Sequence, residues 1–205
     1  TQIYGTFQVG GARMENAGAM TVGTTGTYLQ AFNKFVPVVS ATANTGTFTN
    51  AGSTLVNGGT FTNHGSVVNP GTFQLAVNGV ATLINHGTVV NSGTFEVGAV
   101  GGISGAGSYL QNAAAAQTIV NGTFAHNINL QAGTLSGTGT IQGTVQNSGG
   151  LLLPGNNGLG TLTIKGQYAQ GFGGTLGVNL AGLNSYGLLA VQGTGAAVTL
   201  GGSLK

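Results

Sequence analysis

"GGTFTNHGSVVNPGTF", Gly58 to Phe73, holds two copies of Gly-Thr-Phe around a third unit, Gly-Ser-Val, and each unit closes on or near Asn. Units of this length are too short for helices and match one strand plus one turn. Successive side chains of a strand alternate between faces, so Phe61 points away from Thr60 and Thr62. Cutting before glycines from Gly46 extends the pattern: GTFTNA, GSTLVNG, GTFTNH, GSVVNP, GTFQLAVN, GVATLINH, GTVVNS, GTFEV. The predicted core stripe is Phe48, Phe61, Phe73 and Phe95, joined by one member of each pair Leu55/Val56, Val67/Val68, Leu83/Ile84 and Val89/Val90.

A strand this short cannot bury its apolar face alone, so neighbouring units must stack. Three units sum to about 19 to 22 residues, a complete coil of a solenoid. The expected architecture is all-β: a parallel β-helix with three short strands per coil, one domain over residues 1–205 or a fragment of a longer one. Glycine is expected where corners take positive φ or where backbones crowd. Asn50, Asn57, Asn63, Asn69, Asn85 and Asn91, one or two positions before Gly, read as corner residues that bond local backbone and tolerate left-handed conformations. Antiparallel hairpins built from the same units are also compatible with the pattern, because Asn-Gly is a hairpin turn.

Composition points the same way. Of 205 residues 41 are Gly, without a three-residue period and with only 3 Pro, which excludes collagen. The charged residues are Arg13, Lys34, Lys165 and Lys205 against Glu15 and Glu96, so the basic clusters that nucleic-acid binding draws on are missing. With no Cys, disulfide and thiolate chemistry are absent, which suits passage through an oxidising compartment. No run approaches the ~18 apolar residues of a membrane helix, and the first residues lack the segments of a signal peptide. Thr1 opens mid-pattern and Lys205 follows an apparent strand, which suggests a piece of a longer protein whose targeting and anchoring segments lie elsewhere.

A longer echo supports one continuous architecture. "MTVGTTGTYLQ" at Met20 to Gln30 returns as "FEVGAVGGISGAGSYLQ" at Phe95 to Gln111, and a third Tyr-x-Gln stands at Tyr168 and Gln170. After the first copy comes a non-repeating stretch, residues 32–39, read as a loop excursion because Pro37 disfavours a central strand. Phe32, Lys34 and Phe35 within it are the candidates for partner contact. Ala113 to Ala116 reads either as a short helical turn or as small side chains packed in a tight coil.

From Ala132 to Gly182 the text runs "AGTLSGTGTIQGTVQNSGGLLLPGNNGLGTLTIKGQYAQGFGGTLGVNLAG". Its Gly133-Thr134-Leu135-Ser136-Gly137, Pro154-Gly155-Asn156, Gly160-Thr161-Leu162-Thr163-Ile164 and Gly174-Thr175-Leu176 pieces resemble the passenger regions of bacterial autotransporters and related repetitive surface adhesins. The likeness covers residues 93–205, with 132–205 the most family-like segment. It departs at Gly187, where an acidic residue is usual, and at Leu159, where Pro is often found. The resemblance implies a right-handed parallel β-helix, export through the periplasm and display at the bacterial cell surface, with an outer-membrane anchor in the intact precursor.

Candidate chemistry is sparse. Paired-carboxylate catalysis needs two neighbouring acids, and Glu15 and Glu96 stand several coils apart in the text, in units of different type. His64 and His86 share an Asn-His-Gly setting one coil length apart and read as corner residues on adjacent coils, while zinc would want further ligands and His126 is remote in sequence. No Ser has a His-acid partner and no phosphate loop is present. The Thr47/Thr49 and Thr60/Thr62 pairs raise a remote ice-binding alternative, but the equivalents Thr72/Gln74 and Thr94/Glu96 break the array. The expected function is non-enzymatic and cofactor-free: an extracellular scaffold or adhesin for attachment, cell-cell aggregation or biofilm cohesion. Its partners would be a host, abiotic or neighbouring-cell surface, or copies of itself, and not nucleic acid. The alternative is a self-assembling extracellular fibre subunit, and the expected state is a monomer or weak homo-oligomer.

Overall fold

The computed structural model describes residues 1–10, 13–31 and 41–205, with the side chains of residues 10 and 31 excepted. All of the regular structure among them is β, in three sheets of ten strands each. The first sheet begins Gln2–Ile3, Ala19–Val22, Thr47–Asn50, Ser66–Asn69 and Thr88–Asn91. The second begins Thr6–Gly10, Thr27–Ala31, Ser53–Val56, Thr72–Leu75 and Thr94–Val97. The third takes Arg13–Asn16, Ala41–Asn44, Gly59–Asn63 and Ala81–Asn85. Along these coils, strands consecutive in sequence belong to different sheets, and each pairs in parallel with its counterpart one coil away. This is a parallel β-helix.

The alternating text produces the observed burial. Phe48, Phe61, Phe73 and Phe95 are fully buried, and Val56, Val67, Leu83 and Val89 take the inward position of their pairs. Each such side chain removed from water stabilises the coil by about 1.5–3 kcal/mol. Because the stripe passes from sheet to sheet, rings mesh across the lumen, with Phe48 and Phe61 centroids 5.4 Å apart and Phe61 and Phe73 5.8 Å, while Phe73 and Phe95, in register on the second sheet, stack at 5.0 Å.

The asparagines are not left-handed corner residues, and none of the six takes a positive φ. Asn50, Asn63, Asn69, Asn85 and Asn91 close their strands with the side chain inward and fully buried. At the corner leaving the third sheet, each amide donates to the next coil: Asn16 to Asn44 at 2.7 Å, Asn44 to Asn63 at 2.7 Å and Asn63 to Asn85 at 2.8 Å. A second ladder at the corner leaving the first sheet runs from Asn50 to Asn69 at 2.7 Å and Asn69 to Asn91 at 2.8 Å. An amide carries both a donor and an acceptor, so identical side chains one rung apart satisfy each other inside an apolar lumen. Asn57 differs: it is half-buried and accepts from the Asn78 amide at 3.1 Å.

The glycines beside these ladders are required by crowding. A Cβ on Gly65 would lie 2.0 Å from the carbonyl oxygen of Gly46, which itself accepts from the Ser66 amide at 2.9 Å. The Tyr-x-Gln motifs form buried clamps. Tyr109 Oη lies 2.5 Å from Thr118 Oγ1, which donates to Gln111 Oε1, and Gln111 Nε2 donates to Ala132 O at 2.8 Å. Tyr28, Thr42 and Gln30 repeat the scheme, whereas Tyr168 donates directly to Gln170 Oε1 at 2.8 Å and Gln170 Nε2 donates to Ser203 O at 3.0 Å. Ala113 to Ala116 is a turn closed by Ala116 N to Ala113 O at 3.0 Å, not a helical turn.

Coil length varies more widely than the glycine-bounded units suggest. The rung from Asn121 to Thr138 spans 17 residues and the rung from Asn16 to Asn44 spans 28. The short coils narrow by cutting strands in the third sheet to Thr123–Phe124 and Thr140–Ile141. A long coil near the C-terminus, between Thr175 and its partner Ser203, accommodates an antiparallel pairing of Leu180–Gly182 with Ser185–Val191. Besides this strand pair, the antiparallel contacts among the described residues are the isolated bridges Gly137 to Gly155 and Asn156 to Leu159.

Candidate functional site: a histidine-bearing corner

Where the third sheet turns into the first, the text is Asn-x-Gly, with Gly105 replacing the Asn on the fifth coil. The Asn is held inward by its ladder, so the x residue must point outward. Ala17, Thr45, His64, His86 and Ala106 occupy this outward corner position on successive coils. The backbone fixes the two histidines one rung apart, because His64 N donates to Asn44 O and His86 N to Asn63 O, both at 2.7 Å. Their exposed rings stack with centroids 5.0 Å apart and planes 18° from parallel.

His126 belongs to the same corner, two coils below His86. It stands two residues beyond Phe124, as Asn85 stands two beyond Leu83, and Leu83, Ile103 and Phe124 are in register. His126 therefore takes the ladder side of the turn, beneath Gly105, and is 5% exposed. Its Nε2 lies 3.0 Å from Ser104 O. A carbonyl only accepts, so Nε2 carries the hydrogen and Nδ1 is left as acceptor in the neutral ring. Burial pushes this imidazole below its ordinary pKa, the bond to Ser104 opposes the shift and the charge of His86 adds to it. The sequence distance that made His126 remote is cancelled by the coiling.

The His64–His86 ridge separates two hollows. Above it, about 360 Å³ is bounded by Arg13, Glu15 and Thr62 and floored by Ala17 and Ala43. Below it, about 370 Å³ opens over Gly105, Ala106 and Gly107, with His126, Asn127 and Gln142 at its sides. That hollow continues onto the first sheet as about 240 Å³ bordered by Ser108, Asn129, Thr144 and Gln146. It lies where the coils are shortest and the corner position carries Ala106 instead of a ring. Its walls mix the amides and hydroxyls of Asn127, Gln142, Ser108, Asn129, Thr144 and Gln146 with Gly, Ala and Ile128 surface.

The other candidates are not brought together. Glu15 is on the third sheet, 2.7 Å from Arg13 in an exposed ion pair, and Glu96 is on the second, accepting from Gln74 Nε2 at 2.9 Å. Thr47 and Thr49 face outward from the first sheet and Thr60 and Thr62 from the third, so they build no common plane. Phe32, Lys34 and Phe35, with the whole of 32–39, lie outside the described residues. Among the described residues, no group of three or more His, Asp or Glu side chains is placed to hold a metal ion.

Sequence reading missed an apolar display near the C-terminus: Phe172 is 98% exposed, Leu180 81% and Leu183 99%. Leu180 lies in the antiparallel strand pair and Leu183 in its connecting turn. The signal available was "LAGLNSYGLL", in which apolar residues surround a Leu183-Asn184 turn. No family model, curated protein or solved structure matches this chain.

Proposed function

We propose that this chain is a non-enzymatic extracellular scaffold that holds a contact surface for adhesion, aggregation or biofilm cohesion. The observation that carries the reading is the outer surface of the β-helix. Thr6, Thr27, Ser53, Thr72 and Thr94 stand in one outward, in-register column on the second sheet. Thr47, Ser66, Thr88 and Ser108 form another on the first. A rigid ladder of neutral hydroxyls, repeated at about 4.8 Å, suits many weak polar contacts summed over length rather than one deep site. The resemblance of 93–205 to autotransporter passengers supports display at a bacterial surface.

Because the chain carries four basic and two acidic residues, such contacts owe little to long-range charge. Attachment of cells or beads displaying the chain should change less than about twofold between ~50 and ~500 mM salt, a range over which exposed charge pairs are screened. Loss of most attachment across that range would contradict the reading.

The alternative, a fibre subunit, draws on a different observation: Val198, Leu200 and Leu204, in strands of the last coil, are 52%, 58% and 69% exposed. Strand edges of this kind accept further strands. Sedimentation that shows end-to-end growth with concentration would favour this second reading, and replacement of Leu200 by Asp should then abolish the growth.

A further inference from the structure

We propose that His64 and His86 form a chelating pair for a late first-row divalent ion, with Cu²⁺ held most tightly and Ni²⁺ and Zn²⁺ less so. Each histidine is anchored through its own backbone amide to the coil above and flanked by a ladder Asn and a Gly packed tightly against the preceding coil. Their side chains leave the corner in the same direction one rung apart, and the rings meet at 5.0 Å.

Metal–imidazole bonds of about 2.0–2.1 Å require the two donor nitrogens to approach within roughly 3–3.5 Å in a cis arrangement. Rotation of two exposed rings toward a shared point closes that gap without moving the backbone. The preorganised spacing removes most of the ordering cost that a flexible pair would bear.

The surroundings set the choice of ion. The nearest hollow contains Glu15, engaged by Arg13 at 2.7 Å, and no acid of the described chain faces the pair from below, where the corner offers Ala106 and the buried His126. Hard cations want several carboxylate or carbonyl oxygens. Two neutral imidazoles instead favour copper, nickel and zinc, in the usual order of affinity for nitrogen donors. With two protein ligands the remaining positions point to solvent, open to water or to a donor from another molecule. His126 is excluded from the pair by its burial and by the bond from Nε2 to Ser104.

The test is calorimetric titration of the full chain with Cu²⁺ and with Zn²⁺, beside His64→Ala, His86→Ala and His126→Gln. Circular dichroism melts verify that the exposed-site variants keep the fold. The parent chain should take up one ion of either kind at the pair. Each alanine variant should bind at least tenfold more weakly, His126→Gln should bind like the parent, and the Cu²⁺ paramagnetic spectrum should report two equatorial imidazole nitrogens in the parent and one in either alanine variant. Affinity within twofold of the parent after loss of His64 or His86, or equal weakening by His126→Gln, would overturn the proposal. Absence of any zinc or copper uptake by the parent would do the same.

Discussion

Individual buried polar atoms set the local accounts. Thr54 lies in register between Tyr28 and Phe73 on the second sheet, fully buried, and its hydroxyl has no partner among the described residues. An unsatisfied buried hydroxyl costs about 1–3 kcal/mol. Thr54→Val keeps the shape and removes the orphan, so it should stabilise the chain by about 1 kcal/mol in denaturant unfolding. His126 makes a second residue-scale case. Its pKa is depressed in the folded chain by burial, so the unfolded chain binds the proton more readily. Stability is complete above the unfolded imidazole value of about 6.5 and declines as pH falls from there toward the folded value. Melting temperature should drop on acidification from pH ~7.5 through ~6, and His126→Gln should flatten that dependence; an unchanged slope would remove His126 as its cause.

At the scale of the element, the unit of stability is a column that crosses coils. Asn69 donates to Asn91 Oδ1 and to Thr94 O, both at 2.8 Å, and accepts from Asn50. Asn50 heads its ladder because Val22 occupies the same position one coil earlier, and its Oδ1 has no donor among the described residues. Asn69→Ala therefore strands groups on two coils and should cost about 2–4 kcal/mol, whereas Asn50→Ala strands fewer and should cost about 1–2 kcal/mol. Equal costs in paired urea unfolding would show that the ladder acts as separate amides. The corner glycines follow the same logic: a Cβ on Gly46, Gly65 or Gly87 would lie 2.0 Å from the carbonyl oxygen of the corresponding glycine one coil earlier.

For the whole molecule, the three Tyr-x-Gln clamps place phenols at both ends and in the middle of the solenoid. Burial raises Tyr28 to about 12, and it raises Tyr109 and Tyr168 as well, against opposing hydrogen bonds from Thr42, Thr118 and Asn147. Folded-state values above the unfolded value of about 10 mean that this contribution is complete below pH ~10 and is lost as pH rises beyond it, by up to about 1.4 kcal/mol per pH unit for each tyrosine. Denaturant midpoints should hold between pH ~8 and ~9.5 and fall steeply above ~10.5, with phenolate absorbance of the buried tyrosines appearing together with unfolding. Phenolate formation well below the unfolding pH would place those rings in contact with water.

Period-two alternation and the glycine-bounded units determined that the chain is a stack of short strands with Phe48, Phe61, Phe73 and Phe95 inside, because side-chain direction in a strand is a local property. The text also carried the Tyr-x-Gln echo and the placement of His64 and His86 on adjacent coils, since equal spacing within one coil length puts like residues on like corners. Three things waited for the tertiary structure. Asn63 and Asn69 became internal ladders rather than left-handed corners, because the amide partners at 2.8 Å lie on the neighbouring coil, out of reach of sequence spacing alone. Uneven coil lengths moved His126 beneath the histidine ridge, because the register of each coil is set by pairing with its neighbour and not by a constant repeat. Phe172 and Leu183 emerged on the surface, because each sits in a turn between paired strands, where strand alternation no longer directs the side chain inward.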